Sequence, residues 1–543
     1  MRVYTKLADD VNEVDVIIAG GGTAACVIAG RLAEADPSLS ILVIERGQDN
    51  RGVQNIENPV FFLDHLLPTS TTAIFYQGNK AGQLAGREFI VPSGGTLGGG
   101  YRGEKGVHGH DGPVHVSDGT FRSEYSENEF IKAAAQVGWP EIKDLQTLDA
   151  INGVERWLRT VSKDGKRQDT ARVYLHDKLN GSDYPNLHVL TESKVVRVLL
   201  DGQKRAVGVE YTPNPEFQAA VGPTQHPKLT VKARKLAVVS CGACGTPPVL
   251  ERSGLGDPEI LKRAGVPVTV NLPGKPGGPS GVDQQEGQSL VWNSIDISSK
   301  LRPTEADVAA LGPDFHAAWD RDFKNALDRP LTLMGLVSCF LGDSSTVPEA
   351  QYLTVGNYTA YPYSRGHVHI TGPEVDDPQD FDVGYLNDAH DIDLKKQLWA
   401  YKKQRAIMRR TAMYRGEVAA GHPRFPAGSA AACVDLDEPL RDVQDLEYSA
   451  EDDKAIEQWI RENVGTTWHS IGTTWHSIGT TKMAPREEFG VVDQHLNVWG
   501  TKGLKVADLS IPPMNVGANA NNTAMVVGEK AADIIKKELG LKS

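Results

Sequence analysis

The chain has 543 residues, 55 of them glycine, with 40% hydrophobic and 23% charged side chains, which is enough to bury large cores and too apolar for a disordered chain. Asp and Glu number 70 against 57 Lys and Arg, for a formal net charge of -13, which argues against a nucleic-acid partner. No apolar run reaches the roughly 20 residues of a membrane-spanning helix, no secretory core follows Met1 to Lys6, and 5 cysteines are too few for a disulfide framework.

The first clear element is Val14 to Ala19 (V-D-V-I-I-A), an expected buried strand leading straight into Gly20-Gly21-Gly22-Thr23-Ala24-Ala25. A helical pattern follows, with Val27, Ile28 and Leu32 on one face and Asp36-Pro37 as its stop. Leu42-Val43-Ile44 is a second strand, and it ends in Glu45. This is a βαβ unit with a Gly-rich first turn and an acid after its second strand. Gly20 suits the tight turn, Gly22 lets backbone N–H groups approach a pyrophosphate, and the helix N-terminus with Thr23 and Ala24 adds partial positive charge. Glu45 can accept hydrogen bonds from an adenosine ribose, and Ala25 is small enough for helix–strand packing. The unit is read as dinucleotide-binding.

Leu187 to Leu200 and Ala206 to Tyr211 read as a β-meander turning at Asp201-Gly202. Leu236 to Ser240 is another buried strand. Cys241-Gly242-Ala243-Cys244 follows it with redox-motif spacing, but one pair cannot complete a four-Cys zinc site, and the better account is a small-residue turn. Helices are expected over Ile392 to Arg410 and Glu451 to Asn463. A strand at Leu504 to Asp508 then precedes a helix from about Asn522 to Leu539, opened by Asn residues and closed by Lys536, Lys537 and Gly540. His108, His110 and His115, or His367 and His369, could be drawn as metal sets, but no convincing carboxylate or Cys ligands join them.

The fold class expected is α/β with mixed α+β character, a Rossmann-like nucleotide domain interleaved with a sheet-plus-helix substrate domain. The nucleotide domain would take residues 1–120, 186–290 and 465–543, and the substrate domain 121–185 and 291–464.

Several segments resemble the glucose–methanol–choline (GMC) oxidoreductases, and within them the fungal alcohol (methanol) oxidases. They are D-V-I-I-A-G-G-G-T-A at Asp15 to Ala24, the run from Gly242 to Gly256, Tyr363-Ser364-Arg365-Gly366, Trp475-His476-Ser477-Ile478-Gly479-Thr480, and Asn515-Val516-Gly517-Ala518-Asn519. The resemblance implies FAD, held by Gly20, Gly22, Thr23, Ala24, Glu45, Gly98, Gly99 and Trp475, with Val195 at the adenine and Asp508 near the ribityl–pyrophosphate region. It implies oxidation of a short-chain primary alcohol to the aldehyde, with O₂ reduced to H₂O₂. His476 would be the base, since a neutral imidazole has an ordinary pKa of about 6.5, and Asn519 would hydrogen-bond the substrate oxygen. A homo-oligomer and a peroxisomal or cytoplasmic location are implied as well, although the final Leu541-Lys542-Ser543 is not an S-K-L address.

The chain also departs from that pattern. After Leu97-Gly98-Gly99-Gly100 it passes through Tyr101 to Gly106 almost directly to the His-Gly-x-Asp-Gly-Pro motif, without the family's Ser-Ser-Ile-Asn-like run. After Gly274 comes the linker-like Lys275-Pro276-Gly277-Gly278-Pro279-Ser280. Gly465 to Ile471 recurs unchanged as Gly472 to Ile478, so His469 is a second candidate base. The alternatives are a GMC flavin dehydrogenase with an acceptor other than O₂, or a flavoprotein homologue with impaired catalysis.

Overall fold

The computed structural model describes residues 2–8, 11–67, 69–97, 112–147, 152–218, 227–272, 294–340, 345, 347–465, 471–472 and 477–542. Two sheets organise them. The first has eight strands: β1 (Val3–Tyr4), β2 (Glu13–Ala19), β3 (Ile41–Ile44), β4 (Leu187–Leu190), β5 (Ser193–Leu200), β6 (Ala206–Pro213), β7 (Leu229–Val239) and β8 (Leu504–Val506). Their spatial order is β1-β4-β3-β2-β7-β6-β5, and β8 also pairs with β7.

All neighbours from β1 across to β7 run parallel, as does the β7–β8 pair, whereas β7–β6 and β6–β5 are antiparallel. The strand β7 can serve three partners because its first part faces β6 from Leu229 to Lys232 and its last part faces β8 from Ala237 to Val239. Ile41, Leu42, Val43 and Ile44 are all buried, as expected of a parallel strand covered on both faces. One cover is helix α1 (Thr23–Ala35), which packs against α3 (Asn521–Leu539); α2 (Gly242–Arg252) follows β7. The α1–α3 approach needs Gly528, where a Cβ would lie 2.8 Å from the Val27 Cβ and 2.9 Å from the Ala24 oxygen. Arg31 and Tyr174 both bond Glu529 at its edge.

Two expectations are revised. The run Leu187 to Leu200 is two strands, not one arm of a meander. It breaks at Glu192, whose φ of 55° turns the chain out of the parallel sheet, so that β4 lies beside β3 and β5 beside β6. The Asn residues before Leu539 do not cap α3 either. Ala520 is its N-cap residue, and the Oδ1 atoms of Asn521 and Asn522 are buried without a hydrogen-bond partner.

The second sheet has five strands in the order Ile471–Gly472, Thr354–Thr359, Thr332–Val337, Ile295–Leu301 and Gly153–Arg156. The first pair is parallel and the others antiparallel. Helix Ile392–Met408 packs on this sheet, and Trp139 meets Trp399 edge-on with ring centroids 5.8 Å apart. Two hairpins, Ala73–Ala81 with Arg87–Gly94 and His367–Ile370 with Gln379–Asp382, meet at an Asn79–Asp380 hydrogen bond of 2.9 Å. The strand Ile471–Gly472 lies within the 465–543 stretch yet extends this second sheet.

Candidate functional site

At the carboxyl ends of β2, β3 and β7 the chain encloses a cavity of about 1170 Å³, larger than the roughly 300–1,000 Å³ of ordinary small-molecule pockets. Open parallel sheets bind ligands at these strand ends. Gly20 turns out of β2 with φ 102°, and a Cβ there would lie 2.2 Å from the Ser240 carbonyl oxygen. Only glycine allows that combination of backbone angle and contact. Gly22 is the N-cap residue of α1, no side chain caps the helix, and the first turn holds no acid. A Cβ on Gly22 would meet nothing within 4 Å. The helix therefore presents uncapped N–H groups and partial positive charge beside open space, as an anionic pyrophosphate requires.

Glu45 is buried on the same wall. Its Oε2 accepts from the Gly21 N–H at 2.6 Å and its Oε1 from the Gly47 N–H at 2.9 Å. A carboxylate has about four acceptor positions, so each oxygen keeps capacity for a ribose hydroxyl. Val195 lies in β5 at a register break against β6, between Val195 and Arg197, where backbone groups leave the regular ladder. Lys194, Arg46 and Glu216 border this end, with Lys194–Asp376 at 3.0 Å and Arg46–Glu216 at 3.0 Å.

Asp508 follows β8 and organises the next wall. Its Oδ2 accepts from the Gly242 N–H at 2.9 Å and the Thr246 hydroxyl at 2.6 Å, and its Oδ1 accepts from the Ser510 N–H at 2.7 Å. Burial raises its pKa above the ordinary carboxylate value, although these bonds oppose the rise. The acid thus acts as a cap on α2, fixing that helix against the cavity.

Helix α2 contains Pro247 and Pro248. Pro247 has no N–H for the carbonyl four residues back, at Ala243. The Thr480 hydroxyl takes that carbonyl at 2.6 Å. Gly479, Thr481 and Met483 donate backbone N–H bonds to Leu509, Ser510 and Ile511 at 2.9, 2.8 and 2.6 Å. The stretch after Ser477 is therefore clamped between α2 and the residues following β8, and Ser477 lines the cavity.

Of the residues singled out from sequence, Gly20, Gly22, Thr23, Ala24, Glu45, Val195 and Asp508 all line this one cavity. Asn519 is not among the residues lining it; its Oδ1 accepts from the Tyr358 hydroxyl at 3.0 Å. His469, His476, Trp475, Gly98 and Gly99 lie outside the described residues, as do His108 and His110. Tyr358, Thr246 and the Lys194–Glu216–Arg46 group were not anticipated. The Thr and Tyr act through partners 262 and 161 positions away, and no local pattern marks them.

Cys241 and Cys244 line the cavity as free thiols. Burial raises the Cys241 thiol far above its ordinary value and pushes Cys244 up to about 11, so both stay protonated near neutral pH and neither resembles an activated thiolate. His367 and His369 stack 5.3 Å apart, but each has a carboxylate partner, Asp380 at 3.3 Å and Glu251 at 2.7 Å. Among the described residues no group of three or more His, Cys, Asp and Glu side chains could hold a metal ion. Among them too, no helix is long and apolar enough to cross a membrane.

A Gly-rich strand–turn–helix, a buried acid and a bulged strand around one cavity, with a second sheet alongside, define the class as a dinucleotide-binding protein of two-sheet architecture. Family models described as GMC oxidoreductase match residues 104–276 and 362–528. The chain is 33% identical to the alcohol oxidase of Candida boidinii over 97% of its own length and 95% of that protein. It is 32% identical to alcohol oxidase 1 of Komagataella phaffii, over the same shares. The Candida alignment runs over 655 positions against 543 residues here, so that relative carries stretches without a counterpart in this chain. In fold it is similar to an FAD-dependent oxidoreductase from Chaetomium thermophilum, with TM-score 0.74, 22% identity, and 97% and 100% of the two chains covered. The chain belongs to the GMC oxidoreductase family. It is an FAD-dependent enzyme, and the cavity geometry fits that cofactor: an uncapped helix end for the pyrophosphate and an acid for the ribose.

Proposed function

We propose that this protein oxidises a short-chain primary alcohol to the aldehyde, with O₂ as the final acceptor and H₂O₂ as the second product. What carries the reading is the likeness to alcohol oxidases along 97% of the chain, together with a cavity built for a dinucleotide. FAD, when bound, would accept the hydride leaving the alcohol carbon and then give up its two electrons to O₂, which with two protons becomes H₂O₂.

Gly20 and Gly22 leave room for the cofactor's pyrophosphate, Thr23 and Ala24 open the helix that faces it, and Glu45 takes the ribose. Val195 offers a backbone edge to the adenine, and Asp508 holds α2 in place. His476 is proposed as the base that removes the hydroxyl proton, with His469 as the second candidate. Its neighbour Ser477 lines the cavity, which supports the later copy of the repeat. Asn519 would bind the substrate oxygen without competing for its proton. We further propose a homo-oligomer in a peroxisomal or cytoplasmic location.

The test is an anaerobic spectrum of the purified holoenzyme before and after ethanol or methanol, followed by air. Bleaching of the flavin band, with recovery in air and stoichiometric H₂O₂, is expected. Bleaching by alcohol with recovery only on adding a quinone would make it a dehydrogenase. A yellow protein that neither alcohol bleaches would overturn the substrate assignment.

A further inference from the structure

The loop Asn515 to Asn519 is gripped from the second sheet by two tyrosines. Tyr358, near the end of the strand Thr354–Thr359, donates its hydroxyl proton to the Asn519 Oδ1 at 3.0 Å. Tyr361, three residues on, lies so close to the loop that a Cβ on Gly517 would sit 2.7 Å from its ring and 2.8 Å from its hydroxyl. Burial raises the Tyr358 phenol well above its ordinary value, so it remains an O–H donor throughout the working pH range.

The segment carrying these rings is itself held rigidly. Tyr361 has φ 49°, a conformation that bulky residues adopt only where surrounding structure enforces it. The buried Lys396 ammonium supplies that enforcement. It donates to the Tyr361 carbonyl at 2.9 Å and the Ala360 carbonyl at 3.3 Å, and pairs with Asp393 at 3.1 Å. Asp393 in turn accepts from the Tyr363 and Ser364 N–H groups at 2.9 and 2.8 Å. A strained backbone and a fully buried ion pair are expensive for a surface turn, and the phenol groups they aim both meet the loop that ends in Asn519.

We infer that Tyr358, supported by Tyr361, is a positioning residue that fixes the orientation of the Asn519 carboxamide. With the Tyr358 hydroxyl donating to Oδ1, the N–H side of the amide lies away from the phenol, and it is this side, not the carbonyl, that would face a substrate oxygen. An amide turned the other way would offer a lone pair to that oxygen and repel it as its proton leaves. The inference rests on the reading of Asn519 as the partner of the substrate oxygen.

A double-mutant cycle on the holoenzyme tests it, using the limiting rate of anaerobic flavin bleaching by ethanol. Tyr358→Phe keeps the ring and removes only the donor. Its rate is expected to fall about tenfold or more, with FAD content unchanged and the half-saturating ethanol concentration within about twofold. In an Asn519→Ala background the same change is expected to have no further effect, because the phenol acts only through the amide. Independent, multiplicative losses would overturn the inference. An Asn519→Ala variant as fast as the parent would overturn the reading of Asn519 itself, and the inference with it. A slow Asn519→Ala variant beside a fast Tyr358→Phe variant would overturn the inference alone. A crystal structure of Tyr358→Phe supplies a readout apart from activity: a flipped or doubly populated Asn519 amide is expected, and a single unchanged rotamer contradicts it. If Tyr358→Phe does not fold, Tyr361→Phe takes its place in the cycle, with a smaller loss that should again vanish beside Asn519→Ala.

Discussion

Around the Gly-rich turn the contacts are made by main chain: Gly21 and Gly47 N–H groups on Glu45, Gly20 against the Ser240 carbonyl, the bare first turn of α1. Around Asn519 they are made by side chains arriving from far away, Tyr358 from 161 positions earlier and Lys396 bracing the turn that carries Tyr361. The wall at the Gly-rich turn is thus built from backbone geometry that tolerates little substitution. The Asn519 region holds one amide with side chains, a kind of contact that a single substitution removes while leaving the backbone in place.

Four changes would break or sharpen that contrast, the largest first. Gly20→Val forces a Cβ into the Ser240 carbonyl at a φ of 102°, a backbone penalty of about 1–3 kcal/mol before any clash; the purified protein is expected to lack flavin absorbance, and retained FAD would contradict the turn's role. Asp508→Asn keeps one acceptor oxygen where three donors converge. It should lower stability by about 1–3 kcal/mol in chemical unfolding, and the loss should shrink when Thr246→Val removes one donor.

Thr480→Val leaves the Pro-orphaned Ala243 carbonyl unpaired, for about 1 kcal/mol of stability. Differential scanning calorimetry reads it, and Thr480→Ser should restore most of the loss.

The smallest effect concerns pH. Burial alone would lower the His369 pKa, but its bond to Glu251, with that carboxylate's charge and Asp380's, raises it above the usual value. A raised folded-state pKa means the contribution is full below about pH 6.5 and is lost as pH rises through the higher folded value. His369→Gln should therefore flatten the stability profile between mildly acidic and alkaline pH, and an unchanged slope would remove the pair from the account.

The helix Ala450–Asn463 illustrates how legible local elements are. Ser449 and Asp452 form its capping box, and the start expected from sequence is displaced by one residue. The bends are less legible. The polar stretch Thr191-Glu192-Ser193-Lys194 does not by itself show that the chain changes sheet neighbours at Glu192, because the break answers Gly47 and Glu45, whose carbonyls accept from the Glu192 and Ser193 N–H groups. The capping role of Asp508 has the same origin, since its partners Gly242 and Thr246 precede it by more than two hundred positions.

By itself, then, the amino-acid sequence determined the βαβ opening with its Gly-rich turn and strand-end Glu45, and the family, because glycine freedom, helix periodicity and a strand-end acid are decided over a few dozen neighbouring residues. Only the tertiary structure decided that these residues share one cavity with Val195 and Asp508, and that Tyr358 reaches Asn519. Those contacts depend on which strands pair, and pairing is settled by burial across the whole sheet rather than by any local run of residues.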